Sequence, residues 1–108
     1  MQTLEAYVSK ADGKEIRICV LNSNLDEKLK ALGFVFDQTL SMHAKETSNI
    51  TEKAKLFDVL RGLNICFSDG KEWCPSELFE YFRDQGLIEG TFKRVSWSDP
   101  KNFTIQEV

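Results

Sequence analysis

The sequence predicts an α+β fold: a mainly antiparallel sheet built from ββα units (ββα-ββα-ββα-ββ) with three helices packed on it. Three observations lead there. Stretches in which apolar and polar side chains alternate, the period of a half-buried strand, recur along the chain in pairs. The first three pairs are each followed by a run of helical spacing that stops at a glycine, Gly33, Gly62 or Gly86. Asp-Gly dipeptides at Asp12-Gly13 and Asp69-Gly70 stand between strand stretches, where a tight turn makes the neighbours antiparallel.

Leu4, Ala6 and Val8 alternate with Thr3, Glu5 and Tyr7, and after the Asp12-Gly13 turn Ile16, Ile18 and Val20 alternate with Arg17, Cys19 and Leu21, which predicts a first hairpin. Ser23 with Asp26 three residues on has the form of a capping box, and Leu25, Leu29 and Leu32 keep helical spacing up to Gly33. A second hairpin pairs Phe34 and Phe36 with Leu40, Met42 and Ala44, turning near Asp37-Gln38. Thr39, Ser41, His43 and Lys45 then fall on the polar side of its second strand, suited to solvent or a partner. Asn49 and Glu52 start the second helix, whose apolar face includes Ala54, Phe57 and Leu60, and Arg61-Gly62 closes it with a cation in the last turn. Leu63, Ile65 and Phe67 run as a strand into Asp69-Gly70, and Lys71 to Trp73 returns as a brief one. Pro75 fits the first position of the third helix, where its missing N–H costs nothing, and Gly86 fits just past the end. Thr91 to Ser98 and Phe103 to Gln106 form the last two strands, separated by Asp99-Pro100.

The 108 residues are expected to make a single globular domain, residues 1–108, without linker or low-complexity tract. A hydrophobic content of 42% and a charged content of 29% are ordinary for a globular chain and too apolar for a disordered one. No basic segment leads into an apolar run, so no membrane span is expected, and the expectation is a cytoplasmic protein. Cys19, Cys66 and Cys74 show no metal-binding spacing and leave an odd one over, which speaks for reduced thiols; Cys19 and Cys66, within strand patterns, read as buried small hydrophobes.

The formal charge of −3 disfavours non-specific nucleic-acid binding. Its distribution is uneven. Residues 63–90 set Lys71 and Arg83 against Asp69, Glu72, Glu77, Glu80, Asp84 and Glu89, so the acidity is concentrated around the third helix. That helix carries Leu78, Phe79, Tyr81 and Phe82 beside Glu77, Glu80 and Asp84, an amphipathic helix with an acidic outer face.

Signatures of catalysis are sparse. The chain has no Gly-rich phosphate loop, HExxH or GxSxG. His43, on the polar side of a strand, reads as an ordinary surface histidine. Only Cys74, at a helix N-terminus where the dipole favours a thiolate, is a plausible nucleophile. Glu77 and Glu80, one turn apart on a solvated face, have no reason to become general acids.

The run Leu25 to Lys45, LDEKLKALGFVFDQTLSMHAK, with the helix after it, resembles in layout the strand-helix-hairpin-helix arrangement of HARP-type domains of annealing helicases. It departs from that family where Met42-His43 stand in place of an aromatic residue at the end of the hairpin. The resemblance implies a nucleic-acid-binding accessory module, and Lys28, Lys30, Lys53 and Lys55 on the first two helices supply a candidate basic stripe for one, but carboxylates interleave with these lysines and cancel much of their field, and Phe34 and Phe36 read better as core than as stacking platforms.

The expectation is therefore a small non-catalytic, intracellular interaction module, an adaptor, inhibitor or immunity-like factor. It would bind a protein partner of basic surface through Trp73, Glu77, Glu80, Tyr81, Asp84 and Trp97, without cofactor or metal, as monomer or homodimer. Two of the three rings of Trp73, Tyr81 and Trp97 are expected to be mostly buried. The alternatives are the nucleic-acid module and a thiol enzyme using Cys74.

Overall fold

A computed structural model describes residues 4–11, 13–69 and 73–108. It contains seven strands, β1 (Ala6–Lys10), β2 (Glu15–Val20), β3 (Val35–Asp37), β4 (Met42–Glu46), β5 (Cys66–Ser68), β6 (Lys93–Trp97) and β7 (Phe103–Glu107). The three α-helices are α1 (Asp26–Ala31), preceded by a 3-10 turn at Ser23–Leu25, α2 (Ile50–Gly62) and α3 (Pro75–Asp84).

The seven strands form one sheet in the order β3-β4-β2-β1-β5-β6-β7. Three expected hairpins are present: β1–β2, β3–β4 and β6–β7 all pair antiparallel, and β2 also pairs antiparallel with β4. The sheet is nevertheless mixed, because β5 lies parallel to both β1 and β6. This corrects the ββα rhythm at its third unit. Residues 70–72, which include most of the expected return strand Lys71–Trp73, lie outside the described residues, and Trp73 itself belongs to no strand. The chain after β5 instead crosses over through α3 and returns as β6 in the same direction as β5, the usual way for a helix to cover a parallel pair.

The local signals explain the element ends. Asn49 caps α2, accepting from the Glu52 amide at 2.9 Å, while the Glu52 carboxylate reaches back to the Ser48 amide at 3.3 Å. Before α1 it is the 3-10 turn that is capped, by Asn22 accepting from the Asn24 amide, while Leu25 at the N-cap of α1 makes no side-chain bond, so the Ser23 box does not form. Gly33 (φ 98°) and Gly86 (φ 70°) end α1 and α3 in the left-handed region as expected. At α2 that conformation falls on Asn64 (φ 65°), two residues beyond Gly62. Asp99 holds the β6–β7 turn by accepting from the Lys101 and Asn102 amides, both at 2.8 Å.

The helices cover one face of the sheet. Val8, Ile16, Ile18 and Phe67 point into them and share a core with Leu29, Leu60, Phe79 and Phe82. At its centre Phe57, Phe67, Phe79, Phe82 and Phe92 are fully buried, with Phe79 stacked on Phe92 at 4.0 Å and Phe67 edge-on to Phe79 at 4.9 Å. The opposite face has a smaller apolar cluster of Leu4, Cys66 and Val95, with Tyr7, Phe103 and Ile105 packed against it. No described helix is long and apolar enough to cross a membrane.

Candidate functional site

Pro75 at the first position of α3 and the burial of Phe79 and Phe82 fix which side of that helix looks outward. Glu77, Glu80, Tyr81 and Asp84, at helical spacings of three and four, are all exposed and share one stripe, with Tyr81 46% accessible. The single cation of α3 is turned away from them. Arg83 Nε donates to the Gly90 carbonyl at 2.9 Å and Nη2 to the Val108 backbone oxygen at 3.1 Å, and the guanidinium lies over the Phe79 ring at 5.9 Å. Arg61 at the end of α2 is likewise committed, to the Glu89 and Thr91 carbonyls and to Asp58. Among the described residues no hydrogen bond or ion pair engages the side chains of Glu77, Glu80 or Asp84. The stripe is thus an uncompensated anionic surface on a helix anchored in the aromatic core.

The tryptophans do not join it. Trp73 is 7% exposed and belongs to the core. Trp97 lies on the other face of the sheet, edge-on to Tyr7 at 5.5 Å and beside Phe103 at 5.5 Å, with its Nε1 donating to Ser68 Oγ at 3.0 Å. Only Trp73 of the three rings is buried, since Trp97 is 38% and Tyr81 46% exposed, which corrects the expectation that two would be. The aromatic ring set around the carboxylates reduces to Tyr81.

The basic stripe loses a member. Lys28, Lys30 and Lys55 are exposed, but Lys53 is 7% exposed, with its Nζ donating to the Ala11 carbonyl at 2.7 Å and to that of Gly13. It ties α2 to the β1–β2 connection, so its charge is spent inside the fold.

His43 is the residue that the sequence placed most wrongly. Its β4 position pairs with Ile18, a helix-facing residue of β2, so alternation sends the imidazole under α1 and leaves it 8% exposed. The other residues of the supposed polar side do not form a face: Thr39 and Ser41 lie in the turn before β4, and Lys45 packs its stem over Gly33. His43 Nε2 is 3.6 Å from Asp26 Oδ1, Nδ1 is buried without a hydrogen-bond partner, and the Phe36 ring stands edge-on at 5.2 Å. These residues line a groove of about 750 Å³ between α1 and the β3–β4 hairpin. Phe34 is buried as expected, whereas Phe36 is 52% exposed on the edge strand. The turn dipeptide and strand alternation marked this hairpin; the sheet neighbour that sets its parity left no local signal.

The cysteines are free and dispersed. Cys66 is buried, Cys19 half-buried, and Cys74 is the half-buried residue capping α3, without a side-chain capping bond. Burial pushes the Cys66 thiol up, against a smaller opposing effect of Lys93. Tyr7 is pushed up to about 12, first by burial and then by its hydrogen bond with Cys19. Among the described residues no group of three or more His, Cys, Asp or Glu side chains that could hold a metal ion comes together.

Compared with protein-family models, curated proteins and solved structures, the chain finds no match in any of the three.

Proposed function

We propose that this chain is a small non-catalytic interaction module, of adaptor, inhibitor or immunity-like type, that binds a protein partner of basic surface through the outward stripe of α3. The observation that carries this reading is the unpaired state of Glu77, Glu80 and Asp84 beside exposed Tyr81, with Arg83 withdrawn to backbone oxygens. Unpaired carboxylates on a rigid helix attract a cationic surface at long range and suppress anionic competitors. The tyrosine supplies apolar contact and a hydroxyl at low conformational cost. Binding then acts by covering the partner's basic surface, with no chemical step on this chain.

The test is affinity capture from a lysate of the native host, with the tagged wild type beside the Glu77/Glu80/Asp84→Lys variant, each with and without nuclease. The proposal expects a protein retained by wild type, lost by the variant and indifferent to nuclease. Recovery that depends on nucleic acid, or a partner held equally by both, overturns it.

A further inference from the structure

We infer that the groove between α1 and the β3–β4 hairpin binds a small organic amine: an ammonium group on an apolar body, recognised by Asp26 and Phe36. The site is independent of the α3 stripe, and its size and lining both favour a small ligand. A volume of about 750 Å³ falls within the range of about 300–1,000 Å³ common to small-molecule sites. Its walls include Leu21, Val35 and Phe36, which are 57%, 71% and 52% exposed. An edge strand that leaves two large apolar side chains this open beside a cavity offers an apolar ligand body the contact that this chain does not supply itself.

The polar groups set the sign and the hydrogen-bonding character of the ligand. Asp26 and Glu27 bring two carboxylates to the groove against one ammonium, Lys30. Lys30 is exposed on a long, flexible stem, while Asp26 is short and stands beside the imidazole of His43, so carboxylates outnumber ammonium groups in the lining. His43 lines the groove with Nε2 facing Asp26 Oδ1, while its Nδ1 is buried beneath the surface without a hydrogen-bond partner. The carboxylate of Asp26 is an acceptor with no hydrogen bond from the described residues, His43 Nε2 lying 3.6 Å away. An ammonium offers three donors and a positive charge, and the exposed Phe36 ring adds a cation–π surface for the same head group. A carboxylate or phosphate ligand would meet the opposite: two like charges and acceptors facing acceptors.

The experiment is an amide-resolved NMR titration of the full chain with three probes of the same shape: phenethylamine, phenethyl alcohol and 3-phenylpropionate. The amine is expected to shift the amides of Asp26, Val35 and Phe36 saturably, with Kd of about 1 mM. The alcohol should bind at least about fivefold more weakly, and the carboxylate more weakly again, as the loss of one charge-assisted contact implies. Asp26→Asn should bring the amine down to the affinity of the alcohol and leave the alcohol unchanged, while Phe36→Leu, at a half-exposed position, should weaken the amine more than the alcohol. Equal or tighter binding of the carboxylate, shifts centred away from α1 and β3, or no saturable shift with any probe overturns the assignment. So does binding of a blocked arginine tripeptide to the groove when the free amine does not bind, since the occupant would then be a protein side chain.

Discussion

The two ends of the helix layer are built on different plans. Under α2 and α3, five phenylalanine rings interlock with centroid separations of 4.0 to 5.7 Å, and the helix above them presents charge that nothing in the described chain neutralises. At the other end a helix of six residues faces a three-residue edge strand whose side chains are all exposed, with a groove and a buried imidazole between them. A dense core makes a stiff platform, good for holding fixed charges where a large surface will meet them. At the other end Leu25, Leu29 and Phe34 still join the shared core, but the edge strand beyond them is left open and free to admit something. The difference teaches that stability and recognition are separated here: one core holds both ends together, and what is left open for recognition is the α3 stripe at one end and the edge strand β3 at the other.

The largest expected effect tests that separation directly. Phe79→Ala empties the centre of the core and should destabilise by about 3–5 kcal/mol, whereas Phe36→Ala, on the exposed edge strand, should cost about 0.5 kcal/mol or less. Denaturant midpoints of the two variants check this, and similar losses would break the comparison. Next in size is Lys53→Ala. Its ammonium meets the carbonyls of Ala11 and Gly13, so leaving those groups without their donor should cost about 1–3 kcal/mol. Lys55→Ala, an exposed neighbour, should stay within about 0.5 kcal/mol, and equal values would return Lys53 to the surface. The smallest effect concerns Tyr7 on the helix-free face of the sheet. Its hydroxyl ionises at about 12 instead of the ordinary 10.0, because burial disfavours the phenolate. The native state therefore holds this proton where the unfolded chain releases it, and the stabilisation, complete below the ordinary value, is lost as pH rises through that window. Melting temperature measured from pH 9 to 12 should fall more steeply in wild type than in Tyr7→Phe; parallel curves would show that the ring is solvated.

Much of the fold could be read from the sequence because its signals are local. The Asn49–Glu52 box, Pro75, Gly33 and Gly86 each act within one turn of chain, and three hairpins follow from alternating strands joined by short connections. What escaped is non-local. Parallel pairing joins β5 to β1 and to β6 without any turn residue to announce it, so the sequence suggests a further hairpin, at the third unit, where the chain crosses over. His43 was misplaced for a related reason: alternation says that neighbouring residues face opposite ways, but only pairing with Ile18 says which way is in. For the candidate site, the stripe of Glu77, Glu80, Tyr81 and Asp84 was legible because helical spacing alone brings it together. Trp73 and Trp97 were added by residue type, and type does not decide between core and surface in a chain this small. The withdrawal of Arg83, which leaves the stripe uncompensated, depends on the Gly90 and Val108 backbone and has no sequence signature.

The central claim, that the unpaired carboxylates of α3 steer a basic partner, is tested most directly by stopped-flow association rates with the captured partner across ionic strength. Wild type should associate about tenfold or more faster than the Glu77/Glu80/Asp84→Lys variant at low salt, with the gap closing as the Debye length falls to about 3 Å near 1 M salt. Equal association rates for the two proteins at low salt, with the variant still folded, would contradict the account.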